Sequence, residues 1–397
     1  MAEKIDMRIL YLTGNGFPRS ATDPRGTFSF EHVRALRALG AEVTAVDLQA
    51  DDFGEDVVDG ITIRRIPRLR PILRALAIGR LRRYLAAHRS LLHGGQEVAI
   101  FSFSYLKYFP LMLGIRRLGV TILVIPHGGD VMPGGAIRRF LKCRLFALAD
   151  VITPVSDYTE TLLSCLIKRR DADNDRIVTI YNGVDLAKLQ TDCDPNKLRI
   201  RLGLPHDAFV GLSGCNLVKR KGVDVVIRAV SRLLAEGRDI HHVVIGRGPE
   251  AERLRTLARL SSKPANFKFM DTVSSAELAN FYNMADVFAI LSTTGWDARQ
   301  TEGFGIVYAE AMALGTPVIG GRGSGTGTPV KDGFTGVLID PYGEEVEAKV
   351  AYAMVRLMDD NEYRARLSRN AKWYVRETFS WERNARETLD VIAKVRN

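Results

Sequence analysis

Cysteine is scarce in this chain: four among 397 residues, Cys143, Cys165, Cys193 and Cys215, spaced 22, 28 and 22 positions apart with no CxxC pair. That spacing offers neither a zinc template nor a disulfide framework, and it points to reduced thiols in a cytosolic chain. Long apolar runs are missing as well. Nothing approaches the ~20 apolar residues of a membrane span, and the opening MAEKIDMRILYLTGNGF holds too short an apolar segment for a signal peptide. Residues 61–90 contain no acid, yet they carry nine arginines: Arg64, Arg65, Arg68, Arg70, Arg74, Arg80, Arg82, Arg83 and Arg89. Tyr84 is the only aromatic there. Without a stacking platform beside the charge, nucleic acid is not an expected partner.

What is present fits an ordinary globular protein. Hydrophobic residues make up 46% and charged residues 26%, with a net charge of +10. The length allows two to three domains, each with its own core. The arginine-rich run alternates with Ile66, Leu69, Ile72, Leu73, Leu76, Ile78, Leu81 and Leu85, and Arg138, Arg139, Lys142 and Arg144 form a second basic cluster. Such a stretch suits an anionic membrane surface or a polyanionic substrate, and it equally suits a solvated helix face packed by its apolar side.

Apolar strand-like runs alternate with helical periodicity along the first half. Strands are expected at 8–12, 42–48, 61–66, 98–103, 121–125, 151–154 and 177–181, with helices at 28–39 and 107–118. Residues 189–201, with Asp192, Asp194, Pro195 and Asn196, read as a polar linker. The pattern then restarts. Strands are expected at 209–213, 241–245, 266–269, 287–291, 317–319 and 336–339, and helices at 222–236, 250–260, 275–285, 305–314 and beyond 346. The fold class is therefore α/β, with two facing Rossmann-like, doubly wound domains. The expected domains are residues 1–190, joined by a returning C-terminal helix at about 376–397, and residues 191–375. Ligands of such sheets lie beyond the carboxyl ends of the strands.

The chemistry concentrates in the stretch from Thr301 to Gly315. Glu302 and Glu310 bracket a Gly303-Phe304-Gly305 turn that opens an apolar helix. At a helical rise of roughly 1.5 Å per residue the two carboxylates are on the order of 10 Å apart. Unpaired N–H groups at the helix start between them favour an anion. Glu310 lies among apolar neighbours, so it is either paired inside the protein or aimed at a ligand. Other candidates sit at strand ends. Gly14-Asn15-Gly16, followed by Arg25-Gly26, is a poor dinucleotide fingerprint because Arg19 stands where a third glycine belongs. His127-Gly128-Gly129-Asp130 places a histidine where a cleft would expose it. Asn182-Gly183-Val184-Asp185 reads as a turn. Lys219, Arg220 and Lys221 precede a helix start, where their charge opposes the dipole, so they serve an anion rather than the fold. Gly246-Arg247-Gly248-Pro249 and the glycine-rich 320–327 complete the set.

Together these motifs resemble the glycosyltransferases of family 4, a retaining, nucleotide-sugar-dependent group with the GT-B fold. The E-x7-E stretch from Glu302 to Glu310, then Gly315-Thr316-Pro317, carries most of the likeness, and the other motifs agree in order across nearly the whole chain. The resemblance implies His127, Lys221 and Glu302 as catalytic residues. It implies donor binding by Gly16, Gly26, Asn216, Arg220, Gly246, Arg247, Gly303, Phe304, Gly305, Ile306 and Glu310. In that scheme Glu310 holds the ribose, Glu302 the donor sugar, and Lys221 the leaving diphosphate. No metal or other cofactor is implied; the partners are a nucleotide-sugar donor and a lipid, glycan or small-molecule acceptor, and the basic run Arg64–Arg89 itself adds the option of an anionic membrane surface. Two departures stand out. Asn216 occupies a position where the family often has arginine, leaving Lys219, Arg220 or Arg247 to supply the second positive charge. Thr328 stands where a glutamate is usual.

Overall fold

The computed structural model of the protein describes residues 7–20, 26–67, 97–103, 105–132, 134–167, 175–190, 194–294 and 301–396. The chain divides into two compact units, Met1–Gly183 with Trp381–Asn397, and Val184–Ser380.

The first unit holds a seven-stranded sheet in the order β3-β4-β2-β1-β5-β6-β7. Its strands are β1 (Arg8–Thr13), β2 (Glu42–Ala50), β3 (Gly54–Val58), β4 (Ile61–Pro67), β5 (Val98–Ser102), β6 (Thr121–Val124) and β7 (Val151–Ile152). Every pairing is parallel except β3 with β4. Strand β5 is buried along its whole length, which is why it reads as a continuous apolar run. Helices α1 (Thr27–Ala38), α2 (Phe109–Arg117), α3 (Ala136–Phe146) and α4 (Asp157–Ile167) accompany the sheet. Leu10, Leu12, Phe101, Phe103, Val124 and Ile152 belong to the buried core.

The second unit has a six-stranded sheet in the order β10-β9-β8-β11-β12-β13, parallel throughout. These are β8 (Phe209–Gly214), β9 (Ile240–Ile245), β10 (Phe267–Met270), β11 (Val287–Ala289), β12 (Val318–Gly321) and β13 (Gly336–Ile339). Helices α5 (Pro195–Arg201), α6 (Val223–Ala235), α7 (Ala251–Arg259), α8 (Ser275–Met284), α9 (Ile306–Ala313), α10 (Val346–Asp359) and α11 (Asn361–Thr378) belong to it. The last helix, α12 (Trp381–Arg396), lies in the first unit. There the Trp381 ring stacks on His32 and meets Phe28 edge-on, with centroids 6.2 and 5.2 Å away.

Three details differ from the sequence reading. The acidic, exposed stretch Gly54–Val58 is an edge strand, added antiparallel to an otherwise parallel sheet. The apolar run 177–181 makes only one bridge, Ile177 to Ile152, beside the two-residue β7. The supposed linker contains helix α5, because the Asp194 side chain caps the N–H of Asn196 and Pro195 occupies the first turn.

In both sheets the strand order reverses direction beside the first strand of the unit. The reversal falls between β1 and β5 in one and between β8 and β11 in the other. At such a switch point the loops leave in opposite directions and open a crevice above the strand ends.

Candidate functional site

At the switch point of the second unit, the chain leaves β8 at Gly214 and enters a tight turn, Lys219–Lys221, before α6. Three groups from this turn and from the end of β11 converge on one oxygen. Glu302 Oε2 receives Lys221 Nζ, Arg220 Nη1 at 3.1 Å and Ser292 Oγ at 3.3 Å. Burial alone would raise the Glu302 carboxyl, but Lys221 and Arg220 outweigh it and hold it below its usual range. Two cations against one carboxylate leave this end of the sheet positive. Of the three candidate sources of a second charge, the structure brings Arg220 to Lys221. Arg247 is well exposed and pairs with Asp271 at 3.3 Å. Asn216 is exposed in the loop after β8.

Glu302 leads through Gly303 into Phe304, whose ring packs edge-on against Phe379 with centroids 5.2 Å apart. Gly305 caps α9 in the left-handed region, φ 86°, and Ile306 is the first helical residue. Glu310 lies one turn further. It is partly buried, and Tyr282 donates its hydroxyl to Oε2 at 3.1 Å. Burial pushes its carboxyl up to about 7, against the opposing pull of the Tyr282 hydrogen bond.

Glycines hold this arrangement by close backbone contact. A Cβ on Gly246 would lie 1.9 Å from the carbonyl oxygen of Cys215, so the loops after β8 and β9 rest directly on each other. In the glycine-rich 320–327 loop, the Gly325 N–H donates to the Glu302 carbonyl at 2.8 Å. A Cβ there would fall 2.2 Å from Gly303. This loop is a buttress for the Glu302 turn.

The first unit has its own cluster at its switch point. His127 follows β6, and its Nε2 lies 3.1 Å from the Ser102 hydroxyl at the end of β5. Its backbone N–H donates to Asp130 Oδ1 at 2.9 Å, and the edge of Phe28 sits 4.4 Å from its ring. Burial lowers the His127 imidazole below its ordinary range, with Asp130 acting in the other direction. Lys142 of α3 secures the loop by donating to the carbonyls of Asp130 and Met132. Gly16 and Gly26 press together: a Cβ on Gly26, at φ 62°, would lie 2.0 Å from the Gly16 oxygen. Asn182–Gly183 is an anchor as well as a turn. A Cβ on Gly183 would lie 2.4 Å from Trp381 N, and Asn384 of α12 donates to the Tyr181 carbonyl at 2.7 Å.

The two basic clusters divide. Arg65 is buried in β4, paired with Asp47 and Asp56 at 2.7 Å each and donating to the carbonyls of Phe17 and Pro18, so it fixes the loop after β1 and faces no surface. Arg64 is half exposed beside Glu55. Arg68 through Arg89 lie outside the described residues. On α3, Arg139 and Lys142 are spent on backbone carbonyls, while Arg138 and Arg144 stay exposed. Sequence reasoning missed Ser102, Ser292 and Tyr282. The one available signal was a small polar residue ending an apolar strand, as in Val98–Ser102.

Residues 26–188 match the family described as Glycosyltransferase Family 4, and residues 195–373 match Glycosyl transferases group 1. A D-inositol 3-phosphate glycosyltransferase from Nocardioides sp. is 35% identical over 68% of this chain, and the match takes in 58% of that relative's own length. A GDP-mannose-dependent alpha-(1-6)-phosphatidylinositol monomannoside mannosyltransferase from Mycolicibacterium smegmatis is 33% identical over 70% of this chain and 72% of its own. Among solved structures, a sucrose-phosphate synthase from Thermosynechococcus elongatus superposes with a TM-score of 0.77 at 20% identity, covering 98% of this chain and 99% of that one. An Anabaena protein crystallised with UDP and glucose gives 0.74 at 17%, covering 98% and 100%. With both sheets, the E-x7-E turn and these matches in agreement, the chain belongs to glycosyltransferase family 4 and has the GT-B fold.

Proposed function

We propose that the protein moves a sugar from a nucleotide-diphosphate sugar to an acceptor hydroxyl, keeping the anomeric configuration and using no metal. The observation that carries this is Glu302, held by Lys221 and Arg220 beside the glycine turn of α9, with Glu310 one turn further along. In this reading the Glu310 carboxylate accepts from ribose hydroxyls and Glu302 from hydroxyls of the donor sugar. The N–H groups from Gly303 to Ile306, with Lys221 and Arg220, meet the diphosphate. Its charge grows as the glycosidic bond stretches, so fixed donors and cations act most strongly in the transition state. Alignment of the acceptor supplies the rest, and the departing phosphate takes the acceptor's proton. His127 meets a substrate hydroxyl in the same reaction. The two glutamates do not work as a glycosidase pair, whose carboxyls stand ~5 to 9.5 Å apart across one bond.

The relatives are named for inositol-bearing substrates, which favours a polyol acceptor, free or lipid-borne. A lipid-borne acceptor agrees with the exposed face of α3, where Ile137, Phe140 and Leu141 stand beside Arg138 and Arg144 with no acid on the helix. We assign an anionic membrane surface to that face.

Glu302→Ala and Lys221→Ala should each lower sugar transfer at least about tenfold, or about 1.4 kcal/mol of barrier. Transfer unchanged in both variants sinks the proposal, and nucleotide release that needs no acceptor turns it toward a hydrolase or epimerase. A chelator should leave the wild-type rate intact. A panel of nucleotide sugars read by thermal shift identifies the donor, since binding stabilises by several kcal/mol at ligand far above Kd.

A further inference from the structure

Helix α8 brings Tyr282 against Glu310 of α9, a pairing that packing alone does not call for. The Tyr282 side chain is fully buried. Its ring meets Phe288 of β11 edge-on with centroids 5.5 Å apart, and its carbonyl accepts the Thr316 hydroxyl at 2.6 Å, so ring and backbone are both fixed. A phenylalanine would make the same ring contact with no hydroxyl to satisfy. Here the hydroxyl donates to Glu310 Oε2 at 3.1 Å, while Glu310 Oε1 has no partner among the described residues. Glu310 itself is only partly buried. A polar pair satisfied at one oxygen and open at the other is less stable than an apolar pair of the same shape, until a ligand completes it.

We propose that Tyr282 is a positioning residue for nucleotide recognition: its hydroxyl holds Glu310 by Oε2 and leaves Oε1 to accept from a ribose hydroxyl. This rests on the reading of Glu310 as the ribose acceptor. A carboxylate oxygen accepts and an O–H donates, so the pair offers an acceptor to the sugar and nothing to a phosphate oxygen. The same hydrogen bond favours the ionised carboxyl. Burial drives Glu310 up to about 7, and the Tyr282 hydroxyl is the group that pulls against it. Glu310 makes no ion pair among the described residues. The other titratable group beside Tyr282 is Cys215, after β8, whose thiol burial pushes up to about 11, so it stays protonated near neutral pH. Removing the Tyr282 hydroxyl therefore raises the Glu310 carboxyl further and leaves less of it ionised at pH 7.

The test is calorimetric titration of the full chain with UDP, GDP and ADP and with their 2′,3′-dideoxy forms, from pH 6 to 9, in wild type, Tyr282→Phe and Glu310→Gln. Tyr282→Phe keeps the ring and loses only the hydroxyl. It should bind the ribonucleotide about tenfold more weakly at pH 7, the scale of one hydrogen bond to a charged group. The gap should narrow toward pH 9, where the carboxyl is ionised in both proteins, and vanish for the dideoxy form. A gap equal at every pH, or one that persists without ribose hydroxyls, makes Tyr282 a packing residue and overturns the inference. Should Tyr282→Phe fail to fold, the wild type decides: affinity that is flat from pH 8 to 6 means that other donors hold Glu310, and overturns it too. Glu310→Gln separates the two readings. Weaker ribonucleotide binding there with wild-type binding in Tyr282→Phe fails the Tyr282 role alone, whereas wild-type binding in Glu310→Gln, or a wild type that binds none of the three nucleotides, fails the functional reading beneath it.

Discussion

Glu310 is half-occupied as a residue: one oxygen is held by Tyr282, and burial raises its carboxyl from the ordinary 4.5 to about 7. A carboxylate that must accept from ribose loses that ability when protonated, so donor affinity should fall as the pH drops through about 7. Stability of the free protein moves the other way. Between 4.5 and 7 the folded state binds a proton that the unfolded chain does not, so Glu310 adds stability as pH falls through that window. Glu302 has the opposite sign, but its folded value lies below the ordinary one, so its loss belongs to more acid conditions. The difference between wild type and Glu310→Gln isolates the effect: melting curves and donor titrations from pH 8 to 5.5 should diverge in opposite directions. Parallel curves would mean that Glu310 does not titrate there. The charged members of this site were legible in the sequence because carboxylates and lysines beside glycine turns have few purely structural uses. Ser102, Ser292 and Tyr282 were not, since a buried hydroxyl gains its meaning only from what the fold puts opposite it.

The glycine-rich loop illustrates what an element does beyond its residues. A stretch as rich in glycine as 320–327 is free to cradle a ligand or simply to flex, whereas here Gly325 is the point where two backbones touch behind Glu302. Gly325→Ala should displace that turn, costing ~1 to 3 kcal/mol as overpacking does and lowering transfer with it. Gly327→Ala, two positions on with nothing within 4 Å of the added carbon, should leave both unchanged. Equal effects in the two variants, by melting and by activity, would refute the buttress. Helix α3 is the second case. Ile137, Phe140 and Leu141 are 80%, 62% and 45% exposed, and Arg144 lies over the Phe140 ring. Binding to vesicles rich in anionic lipid should weaken with added salt and drop in Phe140→Ser with Arg144→Ser. Binding indifferent to both would overturn the membrane assignment. Buried parallel strands were readable as apolar runs. Edge strand β3 escapes because its residues are mostly exposed and acidic, and α5 because an Asp-Pro pair inside a polar stretch reads as linker although here it caps a helix.

The whole molecule consists of one unit cut from a single stretch of chain and one assembled from two. Val184–Ser380 contains all its own elements, while the first unit needs α12 to cover His32 and Phe28. Residues 184–380 produced alone should therefore melt cooperatively, and residues 1–183 should not until a 381–396 peptide is supplied. Cooperative melting of 1–183 by itself would contradict this. The same division sets an order of events on the ribosome. Trp381 emerges roughly 200 residues after the sheet it seals, which at about 5 to 20 residues per second is a delay on the order of 10 to 40 s. For that interval the first unit waits unfinished, its aromatic surface open to chaperones, and it receives its last helix only as the second unit, which ends at Ser380, is also being completed.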